Sequence, residues 1–200
     1  MDKVKVPIVE VGSRSIETMG HTSKGNQLKW YQDGWWYKAD AFGYESLAET
    51  LVTRLLQKTS WTGYVCYDPV TVKWNGGLYR GCRSRNFLRE GEELLPLEKL
   101  YRSVTGFSLA QELTHIREVE QRIGHTVAFV ENLTGIQGFG PYLSGMLEMD
   151  MFFLNEDRHT NNIALLYRQV DKSYRLCPYF GHGAVPVRGY QRGVSSGDGC

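Results

Sequence analysis

Asp157 and Asn162 stand five residues apart in the polar stretch Asn155-Glu156-Asp157-Arg158-His159-Thr160-Asn161-Asn162, between two apolar segments. A carboxylate and an amide on one loop, held by rigid flanks, suit two tasks: accepting a proton from a hydroxyl and ligating a hard cation such as Mg2+. Together with a cation on the phosphates, these are the demands of phosphoryl transfer. Asp157 is therefore expected as the base, Asn162 as a magnesium ligand, and His159 as a group that orders the loop or touches phosphate. Taken alone, Glu156 to His159 also reads as a solvated turn.

The phosphate cation has a candidate in Trp35-Trp36-Tyr37-Lys38-Ala39-Asp40. Strand alternation puts Lys38 on the face of Trp36, where its stem can be covered while its ammonium reaches a cleft; a snorkelling surface lysine is the alternative. Glu49 can pair with Lys38 from the following helix, with Glu45 one turn earlier as competitor, or both can simply solubilise that helix. Ser23, Lys24, Gly25 and Asn26, just before the first hairpin, have the turn-forming character of a loop whose amides cover phosphates. They match neither G-x-G-x-x-G nor the Walker A pattern.

The elements that must hold these residues divide the chain. Val4 to Val11, Gln27 to Tyr31 and Trp35 to Ala39 read as strands, the last two joined by Asp33-Gly34. A helix is expected from Tyr44 to Lys58, with Leu47, Leu51 and Leu55 as its buried stripe, widened by Val52 and Leu56, and with Glu45 and Glu49 on the opposite edge. Val70, Val72 and Trp74 alternate up to Asn75-Gly76-Gly77, and Leu78 to Cys82 returns as the second arm of another hairpin. In the second half, Ser108 caps a helix through Leu113, Ile116, Val119 and Ile123 that Gly124 should end. A further helix from Pro141 to Phe153 puts Tyr142, Met146, Met149 and Phe153 on one side. Ile163 to Tyr167 and Tyr174 to Cys177 then read as short strands. The expected class is α+β: a strand-rich lobe with one helix, then a helical lobe, with a cleft between them.

The loop Asp157 to Asn162, followed by Ile163-Ala164-Leu165-Leu166, resembles the D-x-H-x-x-N catalytic loop and following strand of HipA-like serine/threonine kinases. That resemblance implies a bilobal protein-kinase-like fold and transfer of the ATP γ-phosphoryl group to a Ser or Thr of a protein. It implies ATP and Mg2+ as cofactors, and an antitoxin partner in a toxin-antitoxin system. It also makes Lys38 the phosphate lysine and Gly81 to Leu88 the interlobe hinge, where backbone groups near Ser84, Asn86 and Phe87 would meet adenine. The lobes are expected at 1–88 and 89–180.

The resemblance breaks after the loop. An aspartate in an F-D-x-G-like motif is expected as the second magnesium ligand, and Phe180-Gly181-His182-Gly183 has Gly181 in its place. The helices that complete such a kinase are not represented in the Gly/Ser-rich tail 181–200, which reads as the out-of-frame end of a longer kinase gene. A non-catalytic nucleotide-binding pseudokinase, or an interaction partner of an intact kinase, is the alternative these departures raise.

Bulk properties narrow the classes further. Lys and Arg total 23 against 22 acidic residues, a formal net charge of +1, so no global field draws the chain to nucleic acid or an anionic membrane. The N-terminal residues have no signal-like apolar stretch, and Glu148 and Asp150 interrupt the apolar run near Met146. Cys66, Cys82, Cys177 and Cys200 have no metal-type spacing and read as reduced thiols, with a disulfide among them as the competing view. A cytoplasmic protein without direct nucleic-acid or membrane contact is expected.

Overall fold

The computed structural model describes residues 5–12, 16–22, 25–41, 43–156 and 158–181, with backbone alone for 16–22, 25 and 26. Ser23, Lys24, Asp157 and the tail from His182 onward lie outside the described residues.

Two tight turns organise the first lobe. Asp33 and Gly34 have φ of 52° and 77°, and Asn75 and Gly76 have 47° and 77°. Positive φ at both central residues matches the twist of the flanking strands, which is why Asp-Gly and Asn-Gly close two-residue hairpins. The first turn joins β3 (Gly25–Gln32) to β4 (Trp35–Ala39), and the second joins β5 (Asp68–Trp74) to β6 (Gly77–Arg85). With β1 (Ile8–Glu10) and β2 (Ile16–Thr22) these strands make a sheet in the order β1-β5-β6-β4-β3-β2. β1 lies parallel to β5, and the other pairings are antiparallel. Of the expected phosphate-covering segment, Gly25 and Asn26 are described, and they open β3, paired with Thr22 and His21 of β2. The segment is not a lead-in to the first hairpin: residues 16–22, which show no clear alternation, supply a strand that the sequence did not announce.

Alternation gives the sheet two characters. Trp30, Tyr37, Ala39, Val70 and Val72 form a buried cluster on one face. Lys38 and Cys82, partners across β4 and β6, belong to the other, together with Trp36 and its partner Ser84. Gly81 lies opposite Ala39, and a Cβ there would run into the Lys38 carbonyl oxygen. This close strand approach requires glycine.

Helix α1 (Glu45–Leu56) packs on β5 and β6 with a face rotated from the expected one: Val52 and Leu56 are buried as expected, but the leucine row is not. Its buried residues are Glu49, Thr50, Val52, Thr53 and Leu56, while Leu47, Leu51 and Leu55 are 67%, 54% and 45% exposed. Polar partners turn the helix: Glu49 reaches Lys38, and the Thr53 hydroxyl accepts a hydrogen bond from the Tyr67 amide at 3.0 Å. A leucine in either place would leave a donor or a charge unpaired in a desolvated site, a larger penalty than leaving a leucine wet. The outward leucines border a shallow apolar cleft of about 310 Å³ completed by Phe152, Phe153 and Leu154.

The second lobe opens with β7 (Glu92–Pro96) and α2 (Leu97–Thr105), neither expected from the sequence. α3 (Leu109–His115) begins at Ser108, whose hydroxyl accepts from the Gln111 amide as a capping residue should. The helix expected to run on to Gly124 is broken: Ile116 and Glu118 are extended, and α4 (Val119–Thr134) starts anew, carries Gly124 inside it and ends at Gly135 with φ 71°. α5 (Phe139–Phe152) buries Tyr142, Met146 and Met149 as expected. β8 (Ala164–Arg168) pairs with both β7 and β9 (Ser173–Leu176). Leu97, Leu109, Val130, Phe139, Met146 and Leu165 centre its core. Among the described residues no helix is long and apolar enough to cross a membrane.

Candidate functional site

The Lys38 ammonium lies 3.3 Å from the Glu49 carboxylate and donates to the Tyr67 hydroxyl at 3.2 Å, with the side chains of Lys38 and Glu49 only 21% and 8% exposed. Strand β4 fixes the lysine, α1 delivers the glutamate, and the loop into β5 delivers the tyrosine. Burial works against the lysine's charge, but Tyr67 and Glu49 outweigh it and hold its pKa above the usual lysine value. Burial raises the Tyr67 hydroxyl and pushes the Cys82 thiol up to about 12, so both stay protonated beside the lysine. Glu49 is therefore the counter-ion. Its second oxygen, Oε2, is buried without a hydrogen-bond partner.

Sequence reasoning missed Lys29. It is the β3 residue directly opposite Lys38, half-buried on the same face. The signal was present, because a two-residue turn at Asp33-Gly34 sets Gln32 against Trp35 and, counting back, Lys29 against Lys38.

The segment expected as the hinge, Gly81 to Leu88, is strand as far as Arg85, where β6 ends, and only its last residues leave the sheet. Asn86 donates its amide to the Gly34 carbonyl at 2.9 Å, and its side-chain oxygen accepts from Trp36 and from the Leu88 amide. The Phe87 carbonyl accepts from Arg175, whose guanidinium also grips Glu92 at 2.6 and 2.7 Å and holds that carboxyl well below the usual range. Ser84 is buried. Ser84 sits in β6 opposite Trp36, while the described polar partners of Asn86 and of the Phe87 carbonyl are groups of the protein itself. The ring of Phe87 joins Phe180, Val65, Tyr67 and Cys82 in an apolar cluster beneath Lys38.

In the loop after α5, Arg158 is the organiser, a role the sequence did not single out. Its guanidinium grips both oxygens of Asp150 at 2.6 and 2.9 Å and donates to the carbonyls of Asn162 at 2.8 Å and Phe180 at 3.3 Å. The ion pair is deeply buried, with side chains 5% and 7% exposed. Asn155 donates to Asp150 at 2.6 Å. The Asn162 side chain lies 3.1 Å from His159 Nε2, so those two predicted residues meet. One arginine thus ties the helix end, the loop and the segment after β9 into a unit.

A solved structure described as a Helicobacter pylori proinflammatory kinase, CtkA, superposes with a TM-score of 0.51 at 16% sequence identity, covering 80% of this chain and 55% of that one. The chain has a protein-kinase-like fold. It spans about half the length of that kinase structure. No family model matches the sequence, and no curated protein matches it.

Within this kinase-like frame, the two halves of the site fit a magnesium nucleotide unequally. Lys38 with its buried counter-ion, and Lys29 beside it, are suited to polyphosphate oxygens. The metal side is thinner. Gly181 offers no carboxylate, and among the described residues no group of three or more His, Cys, Asp or Glu side chains is placed to hold a metal. Of the loop residues expected near the metal, Asn162 is described, with its side chain against His159, and Asp157 lies outside the described residues. Among the described residues the two lysines have the charge that phosphates call for, and no complete magnesium site is assembled.

Proposed function

We propose that this chain is a nucleotide-binding protein of the protein-kinase type, HipA-like in its catalytic loop. Its ancestral activity is transfer of the ATP γ-phosphoryl group to a Ser or Thr of a protein. The buried Lys38–Glu49 pair on the cleft face of the sheet carries this reading. A lysine desolvated to this extent costs stability unless a carboxylate holds it and an anion uses it. Lys38 would bind and orient phosphate, Asp157 would accept the hydroxyl proton, and Asn162 and His159 would shape the loop between them. The cofactor supplies the phosphoryl group and its metal charge. A protein substrate, an antitoxin partner and a cytoplasmic location belong to this same proposal.

Calorimetry with ATP tests the binding: wild type should give saturable heat, and Lys38→Met should weaken the affinity by at least about tenfold. Equal heats from both proteins would sink the role of Lys38. Radiolabelled transfer to protein, with Asp157→Ala as control, tests the chemistry.

Gly181 favours a second reading, a pseudokinase that binds nucleotide without efficient transfer. Its φ of 73° strains an L residue, Asp less than most, while a Cβ there would meet no described atom within 4 Å, so the missing carboxylate can be put back at a cost in backbone strain and not in packing. Gly181→Asp should raise transfer if the absent ligand is what limits it. Unchanged, measurable transfer in both proteins would count against that reading.

A further inference from the structure

We propose that Lys29 is a second cation for the phosphates of a bound nucleotide, and that it becomes fully charged by taking up a proton as the nucleotide binds. This rests on the nucleotide reading above and adds a residue and a proton linkage to it.

Lys29 and Lys38 are direct cross-strand partners on β3 and β4. Side chains so placed have Cβ atoms about 5 Å apart, and like charges there repel. The two lysines are provided for differently. Lys38 has Glu49 and Tyr67, whereas Lys29 has no hydrogen bond or ion pair among the described residues. Among the described residues the charged groups acting on Lys29 are Lys38 from β4 and Glu49 from α1, with Tyr67 and Cys82 against Lys38; its partner on β2 is Thr18. Burial, and then Lys38, lower the Lys29 ammonium to about 8, with Glu49 opposing them. A group in that position is unstable as a cation and wasted as an amine. A polyanion lying across both lysines removes the repulsion and favours the charged form.

The sign follows from linkage. Binding raises the Lys29 pKa above its free-state value. Affinity is therefore full below about pH 8 and declines as pH rises through that value toward the higher pKa of the complex. At pH 8 about half a proton should be taken up per nucleotide bound, because the free group is then about half charged.

The test is titration calorimetry with ATP in two buffers of different ionisation enthalpy at pH 8, repeated at pH 7 and 9. Wild type should show buffer-dependent heat reporting proton uptake, and weaker binding at pH 9. Lys29→Met should bind about tenfold more weakly at pH 7 and lose the uptake. Lys29→Arg, permanently charged, should bind near wild-type strength with no uptake. Thermal melting confirms that both variants fold. Buffer-independent heat in wild type, or uptake retained by Lys29→Met, overturns the role of Lys29 while leaving the nucleotide site standing. No ATP binding by wild type at any pH overturns the nucleotide site and this inference with it.

Discussion

The two lobes handle buried charge in opposite ways. In the first, Lys38 has one ion pair, to Glu49, and next to it Lys29 has no ion pair among the described residues. In the second, Arg158 is saturated by Asp150 and the backbone carbonyls of Asn162 and Phe180. An under-neutralised cation pair is a place for a ligand, whereas a saturated cation is a rivet. On the nucleotide reading proposed above, the contrast would put recognition in the sheet and rigidity in the loop, with Gly181 standing where that reading calls for a carboxylate.

The sharpest way to break this comparison is to remove the rivet. Arg158→Ala should cost about 3–5 kcal/mol in chemical denaturation, because it strands Asp150 in a buried site. A loss below about 1 kcal/mol would mean the network relaxes into water. Next come the adjacent leucines of α1. Leu56→Ala should destabilise by about 2–5 kcal/mol, while Leu55→Ala should stay within about 0.5 kcal/mol, since only Leu56 is in the core. Equal losses would restore the leucine stripe to the buried face. Lys38→Met should weaken ATP by at least about tenfold, the scale of one charge-assisted hydrogen bond, with little change in melting of the second lobe. The smallest expected effect is a gain: Gly181→Asp should make ATP affinity respond to Mg2+ by several-fold, read by titration with and without the metal.

Local chemistry made part of this legible. Asp33-Gly34 and Asn75-Gly76 announced their hairpins, Ser108 announced its helix, and the Met146 and Met149 face of α5 followed from spacing. The expected partner of Lys38 was also the one found, Glu49 rather than Glu45. The same sequence misled where tertiary partners decide. Leucines at every fourth position of α1 look buried to any periodicity argument, yet Glu49 and Thr53 claim that side because Lys38 and the Tyr67 amide require them. Arg158 drew no special role because its partners, Asp150 and two distant carbonyls, are brought together only by the fold. The break at Ile116 to Glu118 is likewise invisible in a continuous apolar spacing.

Gly81 sets how near β6 can come to the backbone of Lys38. In a library sampling every residue at this position, survivors should be almost wholly wild type, as at a catalytic residue, although the cause is steric. Sequence divergence at the cleft would then be free to proceed around a fixed glycine. Paired with a lysine one residue before the position facing it across the ladder, that glycine offers a two-letter signature for finding kin too distant for ordinary similarity.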